Sequence, residues 1–260
     1  MLLRVWIALL ALNAMTTQAY EIKLATGNQY APYADSQLLN GGMITEIVVK
    51  AAERIPNSPK VILEYYPWER ALDVARKGHV DGTFPFVATE KRLEKFHYSA
   101  PILVGQQRYF YNKNAVQKTR GKPDYQGQRI CKARGYFIDD VKRYIKPEQS
   151  SLEVTQDIAS CFKMLQAERV TYGPVVEYVG LHIIHTTEGL SPENFAMTEQ
   201  PTLDTVYHLL VPKGRRGAQK FIGDFNREME QMRTSGEIEA IVEKHLQYMT
   251  DKVGINGSLE

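Results

Sequence analysis

The chain has 260 residues, of which 43% are hydrophobic and 24% are charged, and its formal net charge is +2. This length suits one large domain or two small ones. The near-neutral charge gives no electrostatic reason to expect nucleic acid or a membrane surface as a partner.

The first nineteen residues have the layout of a secretory signal peptide. Arg4 precedes an apolar run from Val5 to Leu12, and small residues end the segment at Thr17 and Ala19. The run is too short to cross a bilayer, and a buried N-terminal helix is the alternative interpretation. Cleavage after residue 19 would remove Arg4 and lower the formal charge from +2 to +1. No cysteine follows the cut to carry a lipid anchor, so we expect a protein retained in the periplasm.

Strand and helix patterns alternate along the chain, which is typical of an α/β fold. The first block contains strands at Ile22–Thr26, Val61–Tyr66 and Val80–Phe84, with helices over residues 43–55 and 68–75. The second contains strands at Gln128–Ala133 and Val170–Tyr172, a helix capped by Asp157 and another helix over Val175–Ile184.

Two β-like segments, Gln107–Tyr111 and Thr205–Val211, connect these blocks. Two crossovers predict that the chain leaves a first lobe, builds a second, and returns, leaving a cleft between them. Two C-terminal helices follow, the second with a predicted cap at Ser235. The predicted boundaries are 1–19 for the signal peptide, 20–110 with 206–250 for lobe one, 111–205 for lobe two and 251–260 for a flexible tail.

The chain contains two cysteines, Cys131 and Cys161. In an oxidising compartment such a pair is expected to form a disulfide, and two separate buried thiols are the alternative.

The most informative local pattern is the stretch from Asp81 to Arg92. A short strand ends, a loop follows, and Thr89 starts a helical turn that carries Arg92 three residues later. A hydroxyl, free helix N–H groups and a guanidinium on one side are suited to binding a carboxylate. The alternative is a simple N-cap threonine beside a solvated arginine.

Four stretches together carry a resemblance to a known family: Thr26–Tyr33, Gly78–Asp81, Thr89–Arg92 with Tyr98–Pro101, and Tyr125–Ile130. In order and spacing they resemble the bacterial extracellular solute-binding proteins of family 3, which include histidine- and lysine/arginine/ornithine-binding proteins. The resemblance covers nearly all of the chain after the signal peptide. It implies a type II periplasmic binding protein, with two lobes, each a sheet flanked by helices, joined by a two-strand hinge.

The resemblance also implies roles for individual residues. Tyr30 matches the aromatic residue that stacks on the ligand, while Arg92 and Thr89 match the pair that binds its carboxylate. Gly135 and Tyr136 fall at the lobe-two turn that closes over that carboxylate.

This chain departs from the family pattern on the lobe-two side. Tyr136 replaces a small hydroxyl residue, and no aspartate stands near Val176 or Glu177, where the family has its amine-binding aspartate. Glu177 is then either the counter-ion for an ammonium group or a surface glutamate. These departures bear on whether the ligand is a standard amino acid.

Two residues at the start of the second predicted helix have open roles. Trp68 either lines the pocket or packs as core, and Arg70 is expected to be solvated. His182 and His185 are three residues apart on a helix, but no neighbouring ligand completes a metal set. We therefore expect no metal and no cofactor.

The sequence thus predicts a non-enzymatic, monomeric binding protein that captures a small ligand, an amino acid or small organic acid, and delivers it to an ABC permease in the inner membrane. The alternatives are a cyclohexadienyl-dehydratase-like enzyme on the same fold and a sensory ligand-binding module. The enzyme would need a general acid or base, for which Glu177 is the candidate.

Overall fold

The computed structural model describes residues 21–57, 59–116, 124, 126–142, 145–146 and 150–255. The predicted signal peptide, residues 1–19, lies outside these residues and stays a prediction. In the described part of the chain, no helix combines the length and the apolar character that crossing a membrane requires.

The described residues form an α/β structure. Its strands are β1 Glu21–Thr26, β2 Lys60–Tyr65, β3 Gly82–Phe86, β4 Phe96–Tyr98, β5 Val104–Asn112, β6 Arg129–Ala133, β7 Ser151–Thr155, β8 Gly173–Val176, β9 Phe195–Met197, β10 Leu203–Val206 and β11 His208–Pro212. Its α-helices are α1 Met43–Glu53, α2 Trp68–Arg76, α3 Glu90–Leu93, α4 Asp139–Lys142, α5 Ile158–Gln166, α6 Glu177–Thr186, α7 Ala218–Thr234 and α8 Glu237–Val253.

Lobe one is built on a five-stranded sheet in the order β2-β1-β3-β11-β4. Strand β1 runs parallel to β2 and β3, and β11 runs antiparallel to β3 and β4. Helix α1 forms because apolar residues recur at helical spacing, and its Ile44, Ile47, Val48 and Ala51 are fully buried. The helices α1, α7 and α8 pack on one another, so both ends of the chain build this lobe.

Lobe two is built on β5, which pairs with β8, β9 and β10, and on the parallel pair β6-β7. The two parts are joined where the Cys131 amide donates to the Tyr172 carbonyl at 2.8 Å. Asp157 caps α5 as expected, because its carboxylate accepts the Ser160 amide at 2.7 Å. The predicted disulfide between Cys131 and Cys161 is confirmed and ties β6 to α5.

The lobes are connected by two adjacent segments, one leading from β4 to β5 and one between β10 and β11. The Ile102 amide donates to the Tyr207 carbonyl at 2.8 Å, and the Tyr207 amide donates to the Leu103 carbonyl at 3.0 Å. The pair matches the predicted two-strand hinge. Together with the two sheets and their flanking helices, it confirms the type II binding-protein architecture.

Element boundaries differ from the predicted ones in lobe two. A strand was expected at residues 170–172, but it lies at Gly173–Val176 (β8). Helix α6 begins at Glu177 instead of Val175. Val175 and Val176 pair with Arg108 and Gln107 of β5. Buried β-branched side chains that pair with β5 favour this extended conformation over a helix.

Two further differences concern the C-terminal helices. Ser235 does not cap α8; its hydroxyl donates to the Met232 carbonyl at 3.1 Å, and Gly236 occupies the cap position. Helix α8 continues to Val253, past the predicted start of the flexible tail at residue 251. It continues because Ile255 is buried and its carbonyl accepts the Thr250 hydroxyl at 3.0 Å. Residues 256–260 lie outside the described residues.

Candidate functional site

A cavity lies between the lobes and takes residues from both. Lobe one contributes the loop after β1, the first residue of α2, the end of β3 and helix α3, while lobe two contributes the turn after β6. The segment that returns through the hinge lines the remaining side of the cavity with Thr205 and Tyr207. The lining residues are Tyr30, Trp68, Pro85, Phe86, Val87, Arg92, Gly135, Tyr136, Phe137, Thr205 and Tyr207. Strand ends that face such a crevice are the usual location of ligand sites in α/β folds.

Three rings form what we term the aromatic corner: Tyr30, Trp68 and Tyr136. Tyr30 lies 5.4 Å from Trp68 and 5.4 Å from Tyr136 between ring centroids, and Trp68 lies 6.5 Å from Tyr136. The three interplanar angles are 75°, 82° and 88°. Two of the rings belong to lobe one and the third to lobe two, so the corner exists only when the lobes are together.

Tyr207 supports the corner from the hinge. Its hydroxyl shares a hydrogen bond of 2.7 Å with the Tyr30 hydroxyl, and its ring packs 6.0 Å from that of Tyr30. Burial raises the pKa of both phenols well above their ordinary value, so both stay protonated at neutral pH. Tyr207 was not among the site residues predicted from the sequence; its position within the predicted return segment Thr205–Val211 was the signal available.

Arg92 lies at the edge of the cavity, where the cavity meets an open groove between the lobes. Thr89 caps α3 by accepting the Arg92 amide at 3.3 Å, as the spacing predicted. The guanidinium donates to the Val87 carbonyl at 2.9 Å and lies 5.1 Å from the centroid of the Phe86 ring. The groove is lined by Thr89 and Arg92 from lobe one and by Gly135 and Tyr136 from lobe two.

The charge of Arg92 is not neutralised within the described residues, since none of them forms an ion pair with it. Burial lowers the pKa of the guanidinium, while Tyr98 and Asp139 act weakly in the opposite direction. The side chain stays charged at neutral pH, because arginine titrates far above this range. A half-buried cation with unused donors favours an anionic ligand group.

Lobe two reaches lobe one through the turn at Gly135 and Tyr136. Gly135 has a φ of +80°, and a Cβ at this position would lie 2.7 Å from the Cβ of Trp68. The Tyr136 hydroxyl donates to the Gln29 carbonyl at 3.2 Å, which links the lobes directly. Both features require the lobes to approach closely.

Glu177 is not among the residues that line the cavity. It begins α6 and forms an ion pair with Arg108, which also donates to the Thr198 carbonyl at 2.9 Å. The structure therefore brings Tyr30, Trp68, Arg92, Gly135 and Tyr136 together around the cavity, with Thr89 in the adjoining groove, and leaves Glu177 outside. Trp68 lines the pocket while also packing on Phe86 at 5.6 Å.

The described residues contain no group of three or more metal-ligating side chains. His185 Nδ1 bonds to the Leu181 carbonyl at 2.8 Å, and His182 Nδ1 is buried without a hydrogen-bond partner in the part of the chain described.

Two lobes, a two-strand hinge and a ligand cleft define the class of two-lobed solute-binding proteins. The chain matches the family described as bacterial extracellular solute-binding proteins, family 3, over residues 22–248, and it belongs to that family. No match was found among curated protein sequences.

Solved structures share the fold at low sequence identity. An amino acid ABC transporter substrate-binding protein, AbpA from Streptococcus pneumoniae, bound to L-arginine, is 15% identical with a TM-score of 0.72, covering 87% of this chain and 94% of that one. A histidine kinase sensor domain with similarity to periplasmic binding proteins is 19% identical with a TM-score of 0.74, covering 88% and 96%. The GluR0 ligand-binding core with L-glutamate is 16% identical with a TM-score of 0.72, covering 88% and 99%.

Proposed function

We propose that this protein captures a small carboxylate-bearing solute in the cleft and closes its two lobes over it. The observation that carries the proposal is Arg92, a half-buried cation without an ion-pair partner among the described residues, at the edge of an aromatic cavity. A planar guanidinium pairs with a carboxylate through two parallel hydrogen bonds. Thr89, which caps α3, lines the same groove as Arg92, and its hydroxyl adds a hydrogen-bond donor there.

Closure of the lobes supplies the remaining affinity. The turn at Gly135 and Tyr136 lines the same groove as Arg92 from the opposite lobe, and its further closure onto a bound ligand would exclude water and strengthen the charge-assisted pair. Micromolar binding needs only about −8 kcal/mol. One such pair with aromatic contacts in a closed cleft accounts for a free energy of this size.

The protein acts, in this proposal, by binding without turnover. The sequence offered Glu177 as the general acid or base that a dehydratase would need. Its carboxylate instead forms an ion pair with Arg108. None of the cavity-lining side chains is a histidine, aspartate or glutamate. A general acid or base must lie within hydrogen-bond reach of the substrate.

Delivery to an ABC importer in the inner membrane is the second part of the proposal, with the protein working as a periplasmic monomer. It is supported by the family, whose members are extracellular, and by the solved relative AbpA, a substrate-binding protein of an amino acid ABC transporter. The predicted signal peptide agrees with this location.

The binding site is tested by calorimetry with a panel of small carboxylates and amines. Arg92→Ala should lower the affinity for the carboxylate found by at least a hundredfold, which corresponds to about 2.7 kcal/mol. Arg70→Ala is the matched control, because Arg70 is exposed and lies 5.2 Å from the Tyr66 ring centroid, outside the cavity lining. Unchanged affinity in Arg92→Ala would refute the site.

Delivery is tested in cells of the source bacterium. Deleting the gene should abolish high-affinity uptake of the same ligand, and the wild-type gene, but not Arg92→Ala, should restore it. Normal uptake in the deletion strain would exclude the transport role and leave a sensory one.

A further inference from the structure

The rings of the aromatic corner stand nearly perpendicular to one another. Tyr30, Trp68 and Tyr136 make pairwise angles of 75°, 82° and 88° with centroids 5.4 to 6.5 Å apart. A flat ligand ring or a planar guanidinium fits best in a slot between parallel rings. At these distances the three rings pack edge to face on one another, and once Tyr136 moves away with lobe two, the faces of Tyr30 and Trp68 form an angled corner that suits a compact, round group.

We propose that the ligand carries a methylated ammonium group, such as trimethylammonium, in the aromatic corner and its carboxylate on Arg92. This inference rests on the proposed function, since it uses Arg92 as the carboxylate site. Aromatic cages hold quaternary ammonium groups because the faces of tryptophan and tyrosine rings attract cations.

The hydrogen-bond acceptors of the cavity favour a group without N–H donors over a primary ammonium. Such a group has three N–H donors and needs acceptors for them once it is buried. The cavity offers neutral acceptors in place of a carboxylate: the Tyr30 and Tyr207 hydroxyls share a hydrogen bond, the Tyr136 hydroxyl donates to the Gln29 carbonyl, and each phenol oxygen keeps one neutral lone pair. Of the other lining side chains, Thr205 alone carries an oxygen acceptor. A trimethylammonium group has no N–H donor and makes no such demand.

The charges around the corner also suit a cation held without a counter-ion. No acidic side chain lines the cavity itself; Glu69, Glu90 and Asp139 line the adjoining groove, and Glu177 is paired with Arg108. The ligand's own carboxylate, bound to Arg92, then balances the ammonium charge. Phe86 separates the two ends: Arg92 lies 5.1 Å from its centroid, and Trp68 packs on it at 5.6 Å. A short zwitterion spans such an arrangement.

The cavity has a volume of about 50 Å³. This is the space of one or two water molecules, so entry of a ligand requires the lobes to separate. Tyr136 is the lobe-two ring of the corner, and hinge rotation moves it away from Tyr30 and Trp68. The ligand therefore completes the corner during closure, instead of entering a preformed cage.

The test uses calorimetry on the wild-type protein to compare ligands that carry a trimethylammonium group with carboxylates of the same shape that carry a neutral tert-butyl group in its place. One pair is trimethylglycine and 3,3-dimethylbutanoate; the other, with a longer linker, is 4-(trimethylammonio)butanoate and 5,5-dimethylhexanoate. In at least one pair the ammonium compound should bind at least tenfold more tightly than its isostere. It should also bind more tightly than the unmethylated amino acid of the same length.

Ring substitution gives a second measurement. Trp68→Leu should reduce the preference for the ammonium compound over its isostere, whereas Tyr30→Phe, which keeps the ring face, should preserve it. Equal or tighter binding of the isosteres, tighter binding of the primary amines, or no binding of either ammonium compound would overturn the inference. If the isosteres bind and Arg92→Ala abolishes their binding, the carboxylate site stands and only the ammonium site fails.

Discussion

Gly135 is constrained twice, once by its own backbone and once by the opposite lobe. Its φ of +80° is strained for residues with a side chain, and its Cα faces the Trp68 side chain. The contact with Trp68 exists only when the lobes are together. The backbone strain acts in every state of the protein, while the steric clash acts only on closure.

Gly135→Ala should therefore weaken ligand binding by more than tenfold, while changing the melting temperature of the ligand-free protein only modestly. Gly189→Ala is the matched control, because Gly189 has a φ of +84° but no atom of the described residues lies within 4 Å of the place its Cβ would take. Calorimetry and thermal melting of both variants measure the two effects separately. Equal loss of affinity in both would show that strain, and not closure, explains the effect.

Individual residue contacts were predicted correctly where the two interacting residues are close in the sequence. Thr89 and Arg92 are three residues apart, so spacing alone predicted the capped turn. The pairing of Glu177 was not predictable in this way, because Arg108 lies 69 residues away in the chain. The same holds for Tyr207, which meets Tyr30 across 177 residues.

Among the elements, β5, β6 and α4 are joined by a buried polar network below the lobe-two turn. The Lys132 ammonium donates to Asp140 at 2.9 Å and to Gln107 at 3.1 Å, and Gln107 donates to Asp140 at 2.8 Å. Burial lowers the pKa of Lys132, and the Asp140 carboxylate opposes this shift. The network positions α4, which follows the turn at Gly135 and Tyr136 in the chain.

Lys132→Met should destabilise the protein by about 3–5 kcal/mol, because it leaves the Asp140 carboxylate buried without its counter-ion. The double variant Lys132→Met with Asp140→Leu should recover most of this loss. Urea denaturation measures both free energies of unfolding. A double variant as unstable as the single one would contradict the uncompensated charge as the cause.

The disulfide makes a separate prediction for the link between β6 and α5. It closes a loop with a sequence separation of 30 residues. The chain-entropy relation gives about 3–4 kcal/mol for a loop of this size. Replacing both cysteines by alanine should lower the free energy of unfolding by that amount, and adding a reductant should then have no further effect on the variant.

Element types were predictable from periodicity and their boundaries less so. The helical spacing of apolar residues placed α1, α5 and α7 correctly. The run Val175–Ile184 was predicted as one helix because short apolar runs do not distinguish strand from helix. Pairing of Val175 and Val176 with β5 decides their conformation, and that pairing is tertiary information.

At the scale of the whole molecule, a buried cluster fastens the C-terminal helix α8 to α1, close to the start of the described chain. Glu46 accepts hydrogen bonds from His245 at 2.8 Å and Asn40 at 3.0 Å, and it pairs with Lys244. Burial would raise the pKa of Glu46, but bonds from Lys244, Asn40 and His245 outweigh it and lower this pKa to about 2. Burial lowers the pKa of His245, with Glu46 opposing.

Both shifts make the folded state bind fewer protons than the unfolded state in acid. Stability should fall as the pH drops below about 6.5, where His245 protonates in the unfolded chain, and further from about pH 5 towards 2 as Glu46 takes up its proton. The Glu46 contribution is on the order of 3 kcal/mol. Glu46→Gln should lower the free energy of unfolding at pH 7, and it should reduce the further loss of stability between pH 5 and pH 2, as measured by urea denaturation at a series of pH values. Glu230→Gln is the control, because the Glu230 side chain is 70% exposed, and it should leave the loss of stability at acid pH unchanged.

Strand β11 occupies the position between β3 and β4 in the lobe-one sheet, although it is the last strand among the described residues. A growing polypeptide that ends before His208 lacks the strand that joins its neighbours, and α1 still lacks α7 and α8. The sheet of lobe two, by contrast, is contained within residues 104–206. During synthesis the first lobe therefore stays incomplete until α8 has emerged, so β1, β2 and α1 cannot reach their final packing before residues 208–253 are made.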